Sequence, residues 1–218
     1  MVVKGVFESR KIDGLRMNYI LTYPDDKRPD EALPLVLALH GAGERGTDVE
    51  RVKIHGLAKY FAADSEYLGL RAVTLSPQCP EGVVWNNIVF AIKELCDTVA
   101  ADLGTDRDRT SVTGLSMGGF GTWEMICCYP HYFRRAAPIC GGGLSWRADL
   151  AKDVEIRAFH GDADKTVPLI YSQLMVDKVR SAGGNAVLTV YEGVPHNSWD
   201  RAYSEPDLIP WLCFADAK

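Results

Sequence analysis

The residues with the clearest chemical potential in this sequence surround one serine. Thr113 to Gly121 reads TGLSMGGFG, with glycines at 114, 118, 119 and 121 around Ser116, directly after a short apolar run. So much backbone freedom beside a hydroxyl suits a phosphate-cradling loop, tight packing of a helix on a strand, or a sharp turn that lifts the serine out as a nucleophile. The phosphate loop fails on residue type. A Walker loop needs GxxxxGK[ST], yet no lysine occurs between Lys93 and Lys152, and the glycines do not follow GxGxxG. Packing alone explains neither the serine nor its place between the strand-like TSVTG and the helical pattern after it. Gly114-Leu115-Ser116-Met117-Gly118 fits a strand-to-helix elbow, where small residues two positions to either side let the serine adopt a strained conformation with its Oγ exposed. The serine then stands at a helix N-terminus, where amides and dipole favour developing negative charge.

A serine hydroxyl is a poor nucleophile near neutral pH without a base, and the base needs an orienting acid. Behind such an elbow the chain order is serine, acid, histidine, and three histidines follow Ser116. His131, after Pro130, reads as a solvated residue at a helix end. His160, closing the run IRAF, reads as a local hydrogen-bonding group. His196, in the loop GVPHNSWD after the last clear strand, is the expected base. HGDADKTVP offers two acids. Asp164 is preferred as the one that reaches the imidazole, and Asp162 is expected to shape the turn through its own backbone amides. An oxyanion hole needs two N–H donors. Met117 supplies one and the loop HGAGERG the other, from Ala42 or, as the alternative, Gly43, which is also expected to touch substrate. His40 precedes the serine, so it is expected to brace that loop rather than act as base. Trp85, Trp146 and Trp199 are candidate pocket walls against an ordinary core or surface role, and Trp85 is the preferred substrate-binding residue. Glu44 and Arg45 read as rim residues or simply as solvated charges.

The elements that must position these groups alternate. Val2 to Glu8 and Arg16 to Tyr23 read as an antiparallel hairpin at a sheet edge. LVLAL (35–39) and AVTLSP (72–77) are continuous apolar runs of strand length, as are TSVTG, RAAPI, VEIRAF and AVLTVY. Helical spacing covers Asn87 to Ala101 with Gly104 as a stop, the segment after Ser116 up to Pro130, and Leu169 to Ala182. Alternation of this kind predicts one mostly parallel sheet with helices on both faces, whose ligands bind beyond the carboxyl ends of the strands. His40, Ser116, Asp164 and His196 each follow such an end.

Composition narrows the partners. With 218 residues, 47% of them hydrophobic, the chain can bury one substantial core, and a single domain over 1–218 is expected. A formal net charge of −5 without any Lys/Arg run argues against a nucleic-acid or anionic-membrane surface. No segment approaches the roughly 20 apolar residues of a membrane span, and the charged N-terminus lacks the apolar stretch of a secretory signal, so a cytoplasmic location is expected. Six scattered cysteines without a CxxC suit buried reduced thiols better than a zinc site or a disulfide framework. Neither a cofactor nor a metal is expected, the partner is expected to be a small molecule, and the oligomeric state is open.

Four motifs, LHGAGERG, GLSMGG, HGDADKTVP and EGVPHNSW, together resemble the small carboxylesterase/phospholipase-like branch of the α/β-hydrolases, including chains often labelled predicted peptidases. The resemblance runs from about Leu35 to Leu212. It implies an α/β-hydrolase fold with a mostly parallel central sheet and no cap domain. It further implies a triad of Ser116, Asp164 and His196, an oxyanion hole at Ala42 and Met117, and a cofactor-free serine carboxylesterase acting on small ester substrates. The absence of a lid-sized insertion points to short acyl chains. A serine peptidase for short peptides and a non-catalytic binding module of the same fold are the alternatives. One departure is GVPH, where a glycine commonly stands in place of Pro195; the proline is expected to stiffen the histidine loop.

Overall fold

The computed structural model describes residues 1–215; positions 216–218, the end of the expected single domain, lie outside the described residues. The strands are β1 (Val2–Glu8), β2 (Arg16–Thr22), β3 (Leu35–Leu39), β4 (Val73–Pro77), β5 (Thr110–Leu115), β6 (Arg135–Ile139), β7 (Glu155–Gly161) and β8 (Ala186–Tyr191). The helices are α1 (Leu57–Phe61), α2 (Val89–Leu103), α3 (Met117–Cys128), α4 (Ile170–Ser181), α5 (Ser198–Tyr203) and α6 (Leu208–Leu212). Every residue of β3, β4 and β5 is buried, as their unbroken apolar runs require of strands covered on both faces. The edge strands β1 and β8 keep exposed positions instead.

All eight strands form one sheet in the order β1-β2-β4-β3-β5-β6-β7-β8. The hairpin pairs antiparallel within itself and to β4, and every other pairing is parallel. Side-chain alternation splits the core into two layers. Leu35, Leu37 and Leu39 of β3 face a layer with Ile92 of α2, Trp123 of α3 and Val176 of α4. Val36 and Ala38 face the opposite layer, with Phe61 of α1, Tyr203 of α5 and Leu212 of α6. This is the covered, mostly parallel sheet that the alternating pattern predicts and the α/β-hydrolase architecture that the resemblance implies, and no helical cap domain is inserted among the described residues.

The differences from the sequence reading are local. The helix expected over 87–101 runs 89–103, because Trp85–Asn87 is wound as a 3-10 turn and the helix continues two residues further, up to Gly104 at φ 61. The connection from β3 to β4 contains 3-10 turns and the five-residue α1, and α5 and α6 follow the last strand; all are too short for a periodic apolar pattern to announce them. All six cysteines are free and five are buried. Burial pushes the thiols of Cys79, Cys96, Cys127, Cys140 and Cys213 up to about 12.

The crossing of β3, β5 and α3 is the tightest part of this framework. In the parallel register Leu39 lies beside Gly114. A Cβ on Gly114 would collide with the backbone of Gly118 and approach the Leu39 carbonyl oxygen to 2.8 Å, and one on Gly118 would collide with the carbonyls of Leu39 and His40. Backbone cannot yield as a flexible side chain does. Gly114→Ala is therefore expected to cost about 1–3 kcal/mol or more, read as a lower urea midpoint at unchanged m-value. Gly43→Ala, whose added methyl would meet nothing within 4 Å, is expected to stay within about 0.5 kcal/mol of the parent.

Candidate active site

Ser116 sits between β5 and α3 with φ 52 and ψ −116, in the left-handed half of backbone space that a non-glycine residue occupies at a cost of about 1–3 kcal/mol. The turn is held by its own backbone bonds: Ser116 N–H donates to Ile139 O (2.9 Å) and Phe120 N–H to Ser116 O (3.1 Å). This conformation brings Ser116 Oγ to 2.8 Å from His196 Nε2. His196 Nδ1 lies 2.7 Å from Asp164 Oδ2. The other carboxylate oxygen, Oδ1, accepts from the amides of Thr166 (2.8 Å) and Val167 (2.9 Å). Asp164 itself is only 7% exposed. Burial works to raise its carboxyl, but the hydrogen bonds from His196, Val167 and Thr166 outweigh it and hold the group below the usual carboxylate range. An ionised Asp164 requires the proton on Nδ1 of His196, which leaves Nε2 free to accept from the serine.

The structure thus brings Ser116, Asp164 and His196 into one hydrogen-bonded line across three strand ends. Asp162 does something else. Its Oδ1 accepts from Gly193 N–H (2.7 Å), so it ties the turn after β7 to the turn after β8 rather than bonding amides of its own turn. His131 is exposed, as expected.

Ala42 and Met117 each open a turn of helix beside the strand ends of β3 and β5. The Met117 amide opens α3, and Ala42 opens a 3-10 turn after Gly41. Neither amide donates within the described residues, and the loop at 40–41 rests on the backbone of Leu115 and Gly118. Gly43 is exposed, and its carbonyl accepts from Arg51 Nη2. His40 braces the loop: Nε2 accepts from Cys79 N–H (2.9 Å) and Nδ1–H donates to Gly41 O (2.6 Å).

Trp85 stands elsewhere than expected. It is fully buried, donates from Nε1 to His40 O (2.9 Å) and packs against the His40 ring with centroids 4.9 Å apart. The apolar ring fills the layer under the loop, so Trp85 supports the candidate oxyanion loop from beneath instead of walling an open pocket. Trp146 is 70% exposed. The aromatic group next to the site is Trp199, edge-on to His196 at 5.5 Å and 5.6 Å from the His55 ring. Its signal was the spacing of three from His196, one turn if the segment were helical, which the loop reading of GVPHNSWD hid. Glu44 is buried rather than on the rim, with Oε2 unpartnered among the described residues. Arg45 is not merely solvated either, since it donates to Ala42 O (3.1 Å) and Val83 O (3.4 Å). Within the triad the Asp164 side chain is buried and His196 is partly exposed. A cavity of about 510 Å³ between the hairpin turn and residues 80–88 contains none of it.

The sequence profile of the Phospholipase/Carboxylesterase family matches residues 73–205. The chain belongs to this family. It resembles the solved structure of a thermostable esterase at 33% identity and a TM-score of 0.89, over 97% of this chain and 62% of that one. A poly(3-hydroxyalkanoate) depolymerase C of Paucimonas lemoignei is 32% identical over 115 residues, 50% of this chain and 28% of that protein. A probable feruloyl esterase C of Aspergillus oryzae is 24% identical over 181 residues, 81% of this chain and 65% of that protein. The chain therefore spans less than two thirds of the length of these curated relatives. A feruloyl esterase module from Clostridium thermocellum, at 14% identity and a TM-score of 0.74, shares the fold over 93% of this chain and 84% of its own. Pro195, the departure from the family pattern, leaves the His196 contacts at the distances given above. Among the described residues no helix is long and apolar enough to cross a membrane, and no three His, Cys, Asp or Glu side chains gather as a metal-binding group.

The buried His40 makes folding sensitive to acid. Burial lowers its pKa from 6.5 to about 4, against the opposing pull of the hydrogen bond to Gly41 O. Between those values the unfolded chain binds a proton that the fold rejects, so the His40 contribution is complete above pH 6.5 and is lost as the pH falls toward about 4. The loss attributable to this group is of order 3 kcal/mol. Urea midpoints measured across the window should fall more steeply for the parent than for His40→Gln, whatever the overall stability of the variant. Parallel slopes would show that His40 is not the responsible group.

Proposed function

We propose that this protein is a serine carboxylesterase that cleaves short-chain esters through an acyl-enzyme on Ser116. The observation that carries the proposal is the continuous line from Ser116 Oγ through His196 to Asp164, at 2.8 Å and 2.7 Å, on a serine whose backbone is held at φ 52. Ser116 Oγ attacks the ester carbonyl while His196 Nε2 takes its proton. Asp164 keeps the imidazole in the productive tautomer and stabilises the imidazolium. The amides of Ala42 and Met117 receive the developing oxyanion. The imidazolium then protonates the leaving alkoxide, and water, deprotonated by the same nitrogen, hydrolyses the acyl-enzyme. The family and the named esterase relatives support an ester as substrate.

The preference for short acyl chains follows from the lack of a lid-sized insertion among the described residues. The turns that carry Asp164 and His196 lie close to their strand ends, and the longest rim connection, from β3 to β4, is built of 3-10 turns and α1. A buried methylene is worth only about 0.8 kcal/mol, and then only where a surface covers it. Nitrophenyl acetate and butyrate are expected to exceed the palmitate ester in kcat/KM; equal or better palmitate cleavage refutes the preference. A fluorophosphonate should add its mass to Ser116 and leave Ser116→Ala unlabelled. Folded parent protein that takes no label would favour a non-catalytic binding module.

The two aspartates separate by kind of effect. Asp164→Asn is expected to keep the fold and lose kcat by a factor of order 10⁴, because the amide favours the wrong tautomer of His196. Asp162→Asn weakens only the bond to Gly193, so it should lower the thermal midpoint while kcat stays within about threefold. The reverse pattern would move the acid to Asp162.

A further inference from the structure

A buried titratable group without a role in that mechanism stands beside Asp164. His160, at the end of β7, is fully buried. Its Nε2 lies 2.8 Å from Val167 O and 3.3 Å from Asp164 Oδ2, the oxygen that also faces His196. Its Nδ1 lies 2.8 Å from the Oγ of Ser172, a buried residue of α4 that itself stands 2.8 Å from Gly141 O.

Counting donors fixes the arrangement. A carbonyl and an ionised carboxylate only accept, so two acceptors facing Nε2 require the proton on that nitrogen. In the neutral ring Nδ1 is then a lone pair, and the single Ser172 hydroxyl proton has two acceptors at 2.8 Å, that nitrogen and Gly141 O. Val167 completes a ring of contacts, because its carbonyl faces His160 while its amide donates to Asp164 Oδ1 at 2.9 Å.

We propose that His160 is a positioning residue for Asp164, acting on one carboxylate oxygen directly and on the other through the Val167 peptide. Its N–H bonds Val167 O and pulls electrostatically on Oδ2. Both oxygens are thereby held in the orientation that meets His196, and Ser172, with its hydroxyl turned from Gly141 O to Nδ1, favours the His160 tautomer that does this. An ordinary packing role for a buried histidine would need neither the acidic neighbour nor the matched serine. The proposal rests on the serine-esterase reading for its kinetic consequence but not for its geometry.

The test compares His160→Leu, which removes the donor, with His160→Gln, whose amide nitrogen returns a donor near the position of Nε2. On nitrophenyl acetate, His160→Leu should lower kcat about 10- to 100-fold with KM within about twofold, and His160→Gln should recover most of the loss. The downfield proton resonance of the His196–Asp164 bond, recorded without any ester, should shift or broaden in His160→Leu and return in His160→Gln. Ser172→Ala, a smaller change that leaves the ring in place, should perturb the same resonance and lower kcat, and it carries the test if His160→Leu does not fold. Unchanged kcat and resonance in a folded His160→Leu or Ser172→Ala overturns the proposal, as does a folded His160→Gln no better than leucine. Should the parent protein cleave no ester, the proposed activity fails while the resonance still reports on His160.

Discussion

The left-handed turn at Ser116 is the constraint on which the rest of the site depends. A chain avoids that conformation, and here it persists because the surroundings over-determine it: a strand pair fixes where the turn begins, a helix fixes where it ends, and backbone packs on backbone at Gly114 and Gly118. The parallel pairing of β3 with β5 serves two purposes at once. It buries both strands, and it delivers the end of β3, with the 40–43 loop behind it, to the flank of the candidate nucleophile. The candidate oxyanion donors therefore need no separate positioning device. They follow from the same register that holds the serine.

The loop still has to keep its shape, and its supports come from far along the chain. His40 takes the Cys79 amide on one nitrogen and gives its proton to Gly41 O from the other, while Trp85 bonds the carbonyl of the same residue. Gln78 donates to the carbonyls of Glu44 and Asp48, at 2.9 and 2.7 Å. Arg45 and Arg51 hold carbonyls on the outer side. The loop thus has its carbonyls bound by donors, while the Ala42 amide has no acceptor among the described residues. Keeping His40 neutral is part of this arrangement, since a proton on Nε2 would confront the Cys79 N–H donor.

What was legible in the sequence divides along physical lines. The central strands were readable because burial on both faces demands an unbroken apolar run, and Ser116, Asp164 and His196, the candidate nucleophile, acid and base, were legible because an elbow with small neighbours and a fixed chain order leaves few candidates. The short turns between 42 and 69 and the last two helices carried no such pattern, being shorter than the period that would reveal them. Glu44 and Trp85 were misread for a common reason. Residue type suggested a charged rim and an aromatic wall, but the three-dimensional crossing of the β3 and β4 loops buries both. Trp199 was passed over because its neighbourhood with His196 depends on α5, which begins only two residues after the histidine.

Placement of the base raises a different problem, because His196 sits on a loop after an edge strand with no neighbour beyond it. The solution is to fasten that loop to the turn of β7 at several points. Ala163 N–H donates to Val194 O (3.1 Å), Asp162 N–H to Tyr191 O (3.2 Å), and the Asp162 carboxylate accepts from Gly193. Asp164 then meets the imidazole itself. The two aspartates, two positions apart, thus act on the same pair of turns with a division of labour. Asp162 sets the distance between the turns by gripping backbone, and Asp164, aligned through Thr166 and Val167, sets the angle of the ring. A loop anchored only by the acid–imidazole bond would have to order itself each time His196 gained or lost its proton. With the backbone gripped separately, the proposed transfer of a proton from Ser116 to His196 leaves the turns in place and Asp164 ionised.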